Sequence, residues 1–502
     1  DIAKKLGITE NAVYVTRRKF HNILDRAFRT LEVATELGVV DKERVKGLLI
    51  QQKDSKVSSD VHSMAAETYV SKAEELADFT EGVESLNSAI KIYREMLESI
   101  SIKYDPVLFA DTNRKIGDAH VKLSFYQEEK ENCINAIKAY GEALKVFTRE
   151  SYPTEYARTK CKLGDAFRVL AWQEDWVENC NRAVEVCSEA LKVFTLESFP
   201  KEYAKTQFNL AVTYNILSYA KDYVDNCNRA IAACKEALKV YSFEEFPMEY
   251  GKTQNFFGRA YVFLGIVKNR VSNCYLALKA YEKALRVFSR ERYPVEYVKV
   301  KINFAHAYGT LAEVEDRAMN CKKAIKASEE ALKMVNPEEF SIEYSSTQTT
   351  LGTAYGLLAD VEDRIENSNR AIEAHKKSLK VVNLENYPSA YADSQRYLGV
   401  AYTALAKAED KADNCERAVK ACKEALKVFT LEGFPVDHAT TQQYLGNAYR
   451  VLAEVEDKAE NCGRAQKAYE EAIGVFTEEE FPEVYSQLDR DLRELANFCD
   501  SG

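Results

Sequence analysis

Three kinds of residue in this sequence have the chemistry for catalysis or metal binding: twelve cysteines, six histidines and a series of acidic pairs. Their spacing decides what they do. Cys133, Cys180, Cys227, Cys274, Cys321, Cys415 and Cys462 fall one or two steps of 47 residues apart. Cys187, Cys234 and Cys422 each follow a member of that column by seven residues. On a helix, seven residues rise about 10.5 Å, too far for a disulfide or a shared metal. The columns are read as small, buried, slightly polar filler between helices. Twelve thiols in 502 residues are too dilute for a disulfide scaffold, which points to a reducing cytoplasm.

The histidines and acids are periodic in the same way. His120, His375 and His438 stand in columns that other copies fill with aromatic residues or cysteine. Asp175 with Glu178, Asp222 with Asp225, Asp363 with Glu366, Asp410 with Asp413 and Asp457 with Glu460 repeat as acid, two residues, acid. Catalytic carboxylates converge in one cleft, whereas these recur along a surface. They are read as helix N-caps, the first carboxylate worth about 1 kcal/mol and the second favouring the positive helix end. Glu178, Glu366 and Glu460 would close capping boxes. No nucleophile–histidine set, phosphate loop, HExxH or paired CxxC is present. The chain is therefore read as a non-enzyme with no cofactor or metal.

The elements behind these columns form a long internal repeat. Pro106, Pro153, Pro200, Pro247, Pro294, Pro388, Pro435 and Pro482 keep one 47-residue frame, broken only at Ser341. Eleven residues on comes a Leu-Gly or similar pair (Leu163-Gly164, Leu351-Gly352, Leu398-Gly399, Leu445-Gly446), and three further an aromatic, such as Phe167, Tyr214 or Tyr261. Each unit reads as two helices, with proline near the start of the first, where its missing N–H costs nothing. Eight units run over 106–481. A degenerate unit over 60–105 and a half unit over 482–502 are expected to cap them.

The second helix carries Ala183, Cys187, Ala190 or Ala277, Tyr281, Ala284. Leu-Gly, an aromatic, alanines at four and three spacing, then proline resembles the tetratricopeptide repeat (TPR) family, here lengthened from 34 to 47 residues over roughly 60–502. The resemblance implies an all-α, right-handed α-solenoid of helical hairpins, with first helices on the concave side and a protein or peptide ligand in the groove. One hairpin cannot bury its own apolar face; a stack can.

Function is expected where the repeat stops repeating. The variable stripe of the first helix runs Arg158, Cys161, Asp165, Arg168, Trp172 in one unit, then Lys205, Phe208, Val212, Asn215, Tyr219, then Lys252, Asn255, Arg259, Val262, Ile266. The resemblance places these positions against groove ligands. Two columns also change character: Phe125, Trp172, Tyr219, Ile266 give way to Glu313, Asp360, Lys407, Glu454, and Trp176, Tyr223 to Arg270, Arg317, Arg364. Gathered aromatics mark a partner-binding hot spot or an intramolecular packing face. The candidate partner-binding set is Phe125, Arg158, Arg168, Trp172, Trp176, Lys205, Phe208, Asn215, Tyr219, Tyr223, Arg259 and Ile266.

Residues 1–31 hold seven Lys or Arg against three acids, although the whole chain has a net charge of −10. Within 1–24, a helix ending at Gly7 and a second capped by Thr9 resemble part of the helix-turn-helix of sigma factors and response regulators. That resemblance would turn Glu10, Asn11, Tyr14, Arg17 and Arg18 towards DNA; a basic hairpin used for packing or dimerisation is the alternative. Helix continues over 25–50, and 51–59 is read as a linker. No apolar run approaches the ~20 residues that span a bilayer, and no secretory leader is visible. The leading expectation is a regulator that couples DNA binding to partner sensing by the solenoid. The runner-up is a pure interaction scaffold, or the sensor arm of a larger signalling or defence protein.

Overall fold

The computed structural model describes residues 79–501, apart from 101, 104, 128, 220 and 221. The helix-turn-helix positions Glu10, Asn11, Tyr14, Arg17 and Arg18 lie outside the described residues. Among those residues the chain is all helix, in hairpins that follow the proline frame. A first unit over residues 1–202 holds α1 (Phe79–Ser99), α2 (Pro106–Ser124), α3 (Glu129–Leu144), α4 (Pro153–Leu170) and α5 (Trp176–Leu191). A second over 203–502 begins within α6 (Pro200–Leu217). It continues through α7 (Tyr223–Ala237), α8 (Pro247–Val267), α9 (Arg270–Leu285), α10 (Pro294–Ala312), α11 (Arg317–Leu332) and α12 (Ser341–Leu358). It ends with α13 (Arg364–Ser378), α14 (Pro388–Ala406), α15 (Lys411–Ala425), α16 (Pro435–Leu452), α17 (Lys458–Ile473) and α18 (Pro482–Asp500).

The glycine of the Leu-Gly pair is demanded by close helix approach. A Cβ on Gly117, Gly258 or Gly446 would lie 2.5–2.6 Å from the ring of Tyr140, Tyr281 or Tyr469 on the second helix of the same hairpin. On Gly352 it would meet His375 at 2.6 Å. Where alanine replaces the glycine, at Ala211 and Ala305, the facing column carries the small Cys234 or Ser328. Glycine is also kept against the smaller Cys187 and Cys422, at Gly164 and Gly399, so a bulky partner requires glycine but a small one does not exclude it.

Hairpins are joined by an aromatic clasp that the sequence reading missed. Before most of the prolines an aromatic meets, edge to face, an aromatic that follows the preceding helix: Phe147–Tyr152 at 5.8 Å, Phe194–Phe199 at 5.5 Å, Phe288–Tyr293 at 5.8 Å, Phe429–Phe434 at 5.7 Å and Phe476–Phe481 at 5.0 Å. Edge-to-face pairs of this kind add about 0.5–1.5 kcal/mol each beyond their buried area.

The capping expectation is corrected. Asp175, Asp222, Asp363, Asp410 and Asp457 do stand at N-caps, with Asn269 and Asp316 in the same column, but no side chain makes a cap hydrogen bond. These residues are there because the backbone is left-handed, with φ between 38° and 53°, a region Asp and Asn tolerate better than other side-chain-bearing residues. Four residues on, a buried asparagine secures the turn: Asn179 donates to Glu174 O at 2.8 Å, Asn320 to Glu315 O at 2.6 Å, Asn367 to Glu362 O at 2.7 Å and Asn414 to Glu409 O at 2.9 Å. The expected capping-box acids pair forward instead: Glu178 with Arg182, Glu366 with Arg370 and Glu460 with Arg464. Those arginines lie over Phe167, Tyr355 and Tyr449.

Ten cysteines are free and buried. Burial pushes their thiols up, Cys133 and Cys321 to about 11 and Cys180, Cys274 and Cys415 to about 12, so they are poor nucleophiles. Cys462 departs from the filler reading. It forms a disulfide with Cys499, tying α17 to α18. Spacing within the repeat missed this bond because Cys499 belongs to neither column. The bond also removes the argument from cysteine usage to a reducing compartment. Among the described residues, no helix is long and apolar enough to cross a membrane.

Candidate functional site

In the 203–502 unit, successive first helices (α8, α10, α12, α14, α16) pack against one another as well as on their hairpin partners, and second helices stand further apart. Elements closer together on one side bend the stack towards that side, so the first helices line the inner groove. The bend brings the end of the unit back to its start. Helix α18 touches α8, Phe481 stacks on Tyr223 at 5.4 Å, and Leu488 and Leu495 share a core with Tyr223, Phe263 and Val267. The groove is thereby closed into a lumen.

Several candidate residues converge on that lumen. Arg259 donates to the Tyr219 hydroxyl at 3.4 Å and lies over the Phe263 ring at 5.2 Å, while Tyr219 stacks on the same ring at 5.0 Å. Arg259 has no acidic partner among the described residues. Phe208 meets Phe256 edge-on at 5.6 Å, and Lys205 is exposed. Asn215 and Tyr223 are interior instead. Asn215 donates to Ala211 O at 2.9 Å, and Tyr223 donates to Phe263 O at 3.1 Å. Ile266 is half-buried, and its carbonyl accepts from Arg270 at 3.0 Å.

In the 1–202 unit the candidates lie on the surface. Phe125 is 68% and Trp172 55% exposed, one repeat apart, and Trp176 is half-buried. Arg158 pairs with Glu155 at 2.7 Å and Arg168 with Asp165 at 3.3 Å, so both are already neutralised by neighbours on their own helix.

The columns that turn charged have a structural cause. In later repeats they form ion pairs from one hairpin to the next: Arg270–Glu313 at 2.5 Å, Arg317–Asp360 at 3.3 Å and Lys411–Glu454 at 2.6 Å. One repeat before Arg270–Glu313, the equivalent residues Tyr223 and Ile266 belong to one hydrophobic core instead.

The far wall of the lumen contains residues that the sequence reading did not single out. Arg396, buried on α14, pairs with Asp393 at 2.5 Å and with Asp437 of α16 at 2.7 Å, and lies between the rings of Tyr397 (5.0 Å) and Phe429 (4.9 Å). Tyr397 and Tyr444 adjoin at 6.3 Å, with His375 stacked behind Tyr397 at 6.2 Å. The walls act on each other electrostatically. Withdrawal from bulk water raises the Tyr219 hydroxyl, as do Asp437 and Asp393 opposite, while Arg259 pulls it down. His306 of α10 has an exposed ring, yet the enclosing protein, together with Arg259 and Arg396, lowers it to about 4. Burial, with Asp437, lifts Asp393 to about 6 despite Arg396. The available signal was the Asp393–Arg396 pair, in columns that are lysine and neutral residues in the three units before Ser341. The same arrangement occurs in the first full unit as Asp111 and Arg114, with Glu155 in the Asp437 column.

Two clefts lie elsewhere: one of about 420 Å³ around Arg94, His120 and Asn132, and one of about 400 Å³ between Lys420, Tyr449 and Arg464. Both are open to solvent, and His120 is engaged by Asn132 at 2.7 Å. Among the described residues no His, Cys, Asp and Glu group is placed to hold a metal ion.

No family model matches the chain, and no curated protein matches it. Solved structures do. The Cut9–Hcn1 hetero-tetramer of the APC/C is 15% identical, over 94% of this chain and 83% of that one, with a TM-score of 0.34. A Rap protein complexed with Competence and Sporulation Factor is 13% identical, over 80% and 99%, with a TM-score of 0.38. A signal-transduction ATPase with a tetratricopeptide-repeat sensor, from Pyrococcus horikoshii, is 16% identical, over 89% and 68%, also at 0.38. Likenesses this distant assign no function to this chain.

Proposed function

We propose that the 203–502 unit is a binding module that holds an extended peptide or protein segment in its lumen, and that it works by capture without catalysis. The observation that carries this reading is Arg259. A guanidinium without a carboxylate partner, fixed by a tyrosine hydroxyl and an aromatic face, is a pre-organised donor for the carbonyls or carboxylate of a bound chain. Phe208, Tyr219, Tyr397 and Tyr444 add aromatic surface at little entropic cost. Selection from a random peptide display library tests the reading. Selected peptides should lose at least tenfold in affinity with Arg259→Ala, and binding unchanged by that substitution would remove the lumen as the site.

A second contact surface is proposed at Phe125 and Trp172, whose exposed rings suit an apolar partner residue. Regulation through DNA is the further reading, supported by the basic pattern of 1–24. It requires a salt-dependent affinity for duplex DNA that falls when Arg17 and Arg18 are both replaced by alanine. An affinity indifferent to both leaves an interaction scaffold alone.

A further inference from the structure

Charge is unevenly placed around the lumen. On one side Arg259 lacks an acid; on the other, two carboxylates share Arg396. The pair Asp393 and Asp437 therefore carries a surplus negative charge that its own arginine does not cancel. Asp393 keeps 43% of its side chain accessible, whereas Arg396 is only 7% accessible, and its Nε finds no partner. The guanidinium thus serves to hold the two carboxylates in place, and the open side of Asp393 is left to something else. Tyr397 and Tyr444 stand beside that opening, and tyrosine faces attract cations.

We infer that the lumen selects extended peptides carrying a basic side chain, seated on Asp393 and Asp437 against the rings of Tyr397 and Tyr444. This rests on the lumen being the peptide site. An arginine or lysine there supplies the charge the acid pair lacks, and its stem covers the tyrosine faces. A neutral or acidic residue at the same point leaves the surplus charge uncompensated or adds to it, and like charge at close range is costly.

The arrangement also predicts a pH dependence. The groups facing Asp393 are Arg396 and Tyr397 on its own helix, Asp437 and Tyr444 on α16, Tyr219 after α6 and His306 on α10. Glu313 after α10, raised by burial and paired with Arg270, acts on Tyr397 and Tyr444. His306, lowered to about 4, stays neutral above pH 5, and the tyrosines stay protonated throughout. Asp393, lifted to about 6, is the group that changes. At pH 5 roughly one molecule in eleven carries the charge, and at pH 7.5 nearly all do, so a cation that requires it gains about tenfold.

Fluorescence anisotropy tests the inference with the full chain and three sets of blocked hexapeptides. Each set fixes arginine, norleucine or glutamate at one position and mixes non-ionisable residues at the others. Expected are preference for the arginine set, an affinity rising about tenfold from pH 5 to 7.5, and at least tenfold loss in Asp393→Asn and Asp437→Asn with unchanged helicity. Equal binding of the three sets, or preference for glutamate, overturns the inference and leaves the lumen reading standing. So does arginine binding that ignores pH in the unmodified chain, a readout that needs no variant to fold. Failure of every set to bind overturns both.

Discussion

The pairing of a glycine on the first helix with a bulky residue on the second makes a quantitative claim about Gly258 and Tyr281. A Cβ at Gly258 would fall 2.5 Å from Tyr281 Cε1 and 2.8 Å from two further ring carbons. Tyr281 is 1% exposed, so its ring has nowhere to retreat. Gly→Ala within a helix normally stabilises by about 0.5–1 kcal/mol. Overpacking of a filled core costs about 1–3 kcal/mol. Gly258→Ala should therefore destabilise by roughly 1–2 kcal/mol on balance. Tyr281→Ala alone opens a cavity and should cost roughly 3–5 kcal/mol. With the ring gone the clash is gone, and Gly258→Ala should then stabilise by about 0.5–1 kcal/mol. The sign of one substitution reverses with the state of its neighbour, a coupling of roughly 1.5–3 kcal/mol. All four proteins would be melted by circular dichroism at 222 nm. Amide exchange of α8 and α9 would be followed in parallel, because a repeat array opens hairpin by hairpin. If Gly258→Ala is equally harmful with and without the tyrosine ring, close approach is not what selects glycine here.

Three further outcomes are expected. His375→Tyr, which installs the residue that Tyr281 and Tyr469 supply in other hairpins, should flatten the acid side of the stability profile. Burial lowers His375 to about 3, so the unfolded chain takes up a proton from pH 6.5 downwards that the folded chain refuses, costing about 2 kcal/mol by pH 5; a variant as acid-sensitive as the parent refutes this. Cys499→Ala opens a 37-residue loop closed by the disulfide and should cost up to roughly 4 kcal/mol, with reductant lowering the melting temperature of the parent and leaving the variant unmoved. Trp172→Ala should weaken a partner captured by the 1–202 unit with no change in melting temperature, since the ring is 55% exposed; a drop of several degrees would place it in the packing instead.

The repeat was legible because its constraints recur. Proline at the start of a first helix, glycine against a bulky partner and alanine at helix contacts are each imposed by local geometry, and each appears in several copies. The N-cap acids were located correctly and given the wrong cause. Capping and a left-handed backbone both favour aspartate and asparagine, and only the backbone angles, with no side-chain cap hydrogen bond, separate the two demands. The lumen was legible in part. Tyr219 and Arg259 stood out as departures on neighbouring repeats, and they do meet. Arg396, Asp393 and Asp437 did not stand out, because their significance depends on the curvature of the stack. Whether residues on α6 and α8 face residues on α14 and α16 is set by a small bend accumulated over each hairpin, and no single column encodes it. The same accumulation decides between the two readings of Tyr223, contact surface or packing face, in favour of packing: α8 and the return of α18, with Phe481 just before it, cover the ring. In a solenoid, the residues that hold one hairpin are written in every copy. The residues that form the two walls of the site lie on copies distant in sequence, and the superhelix alone brings those walls together.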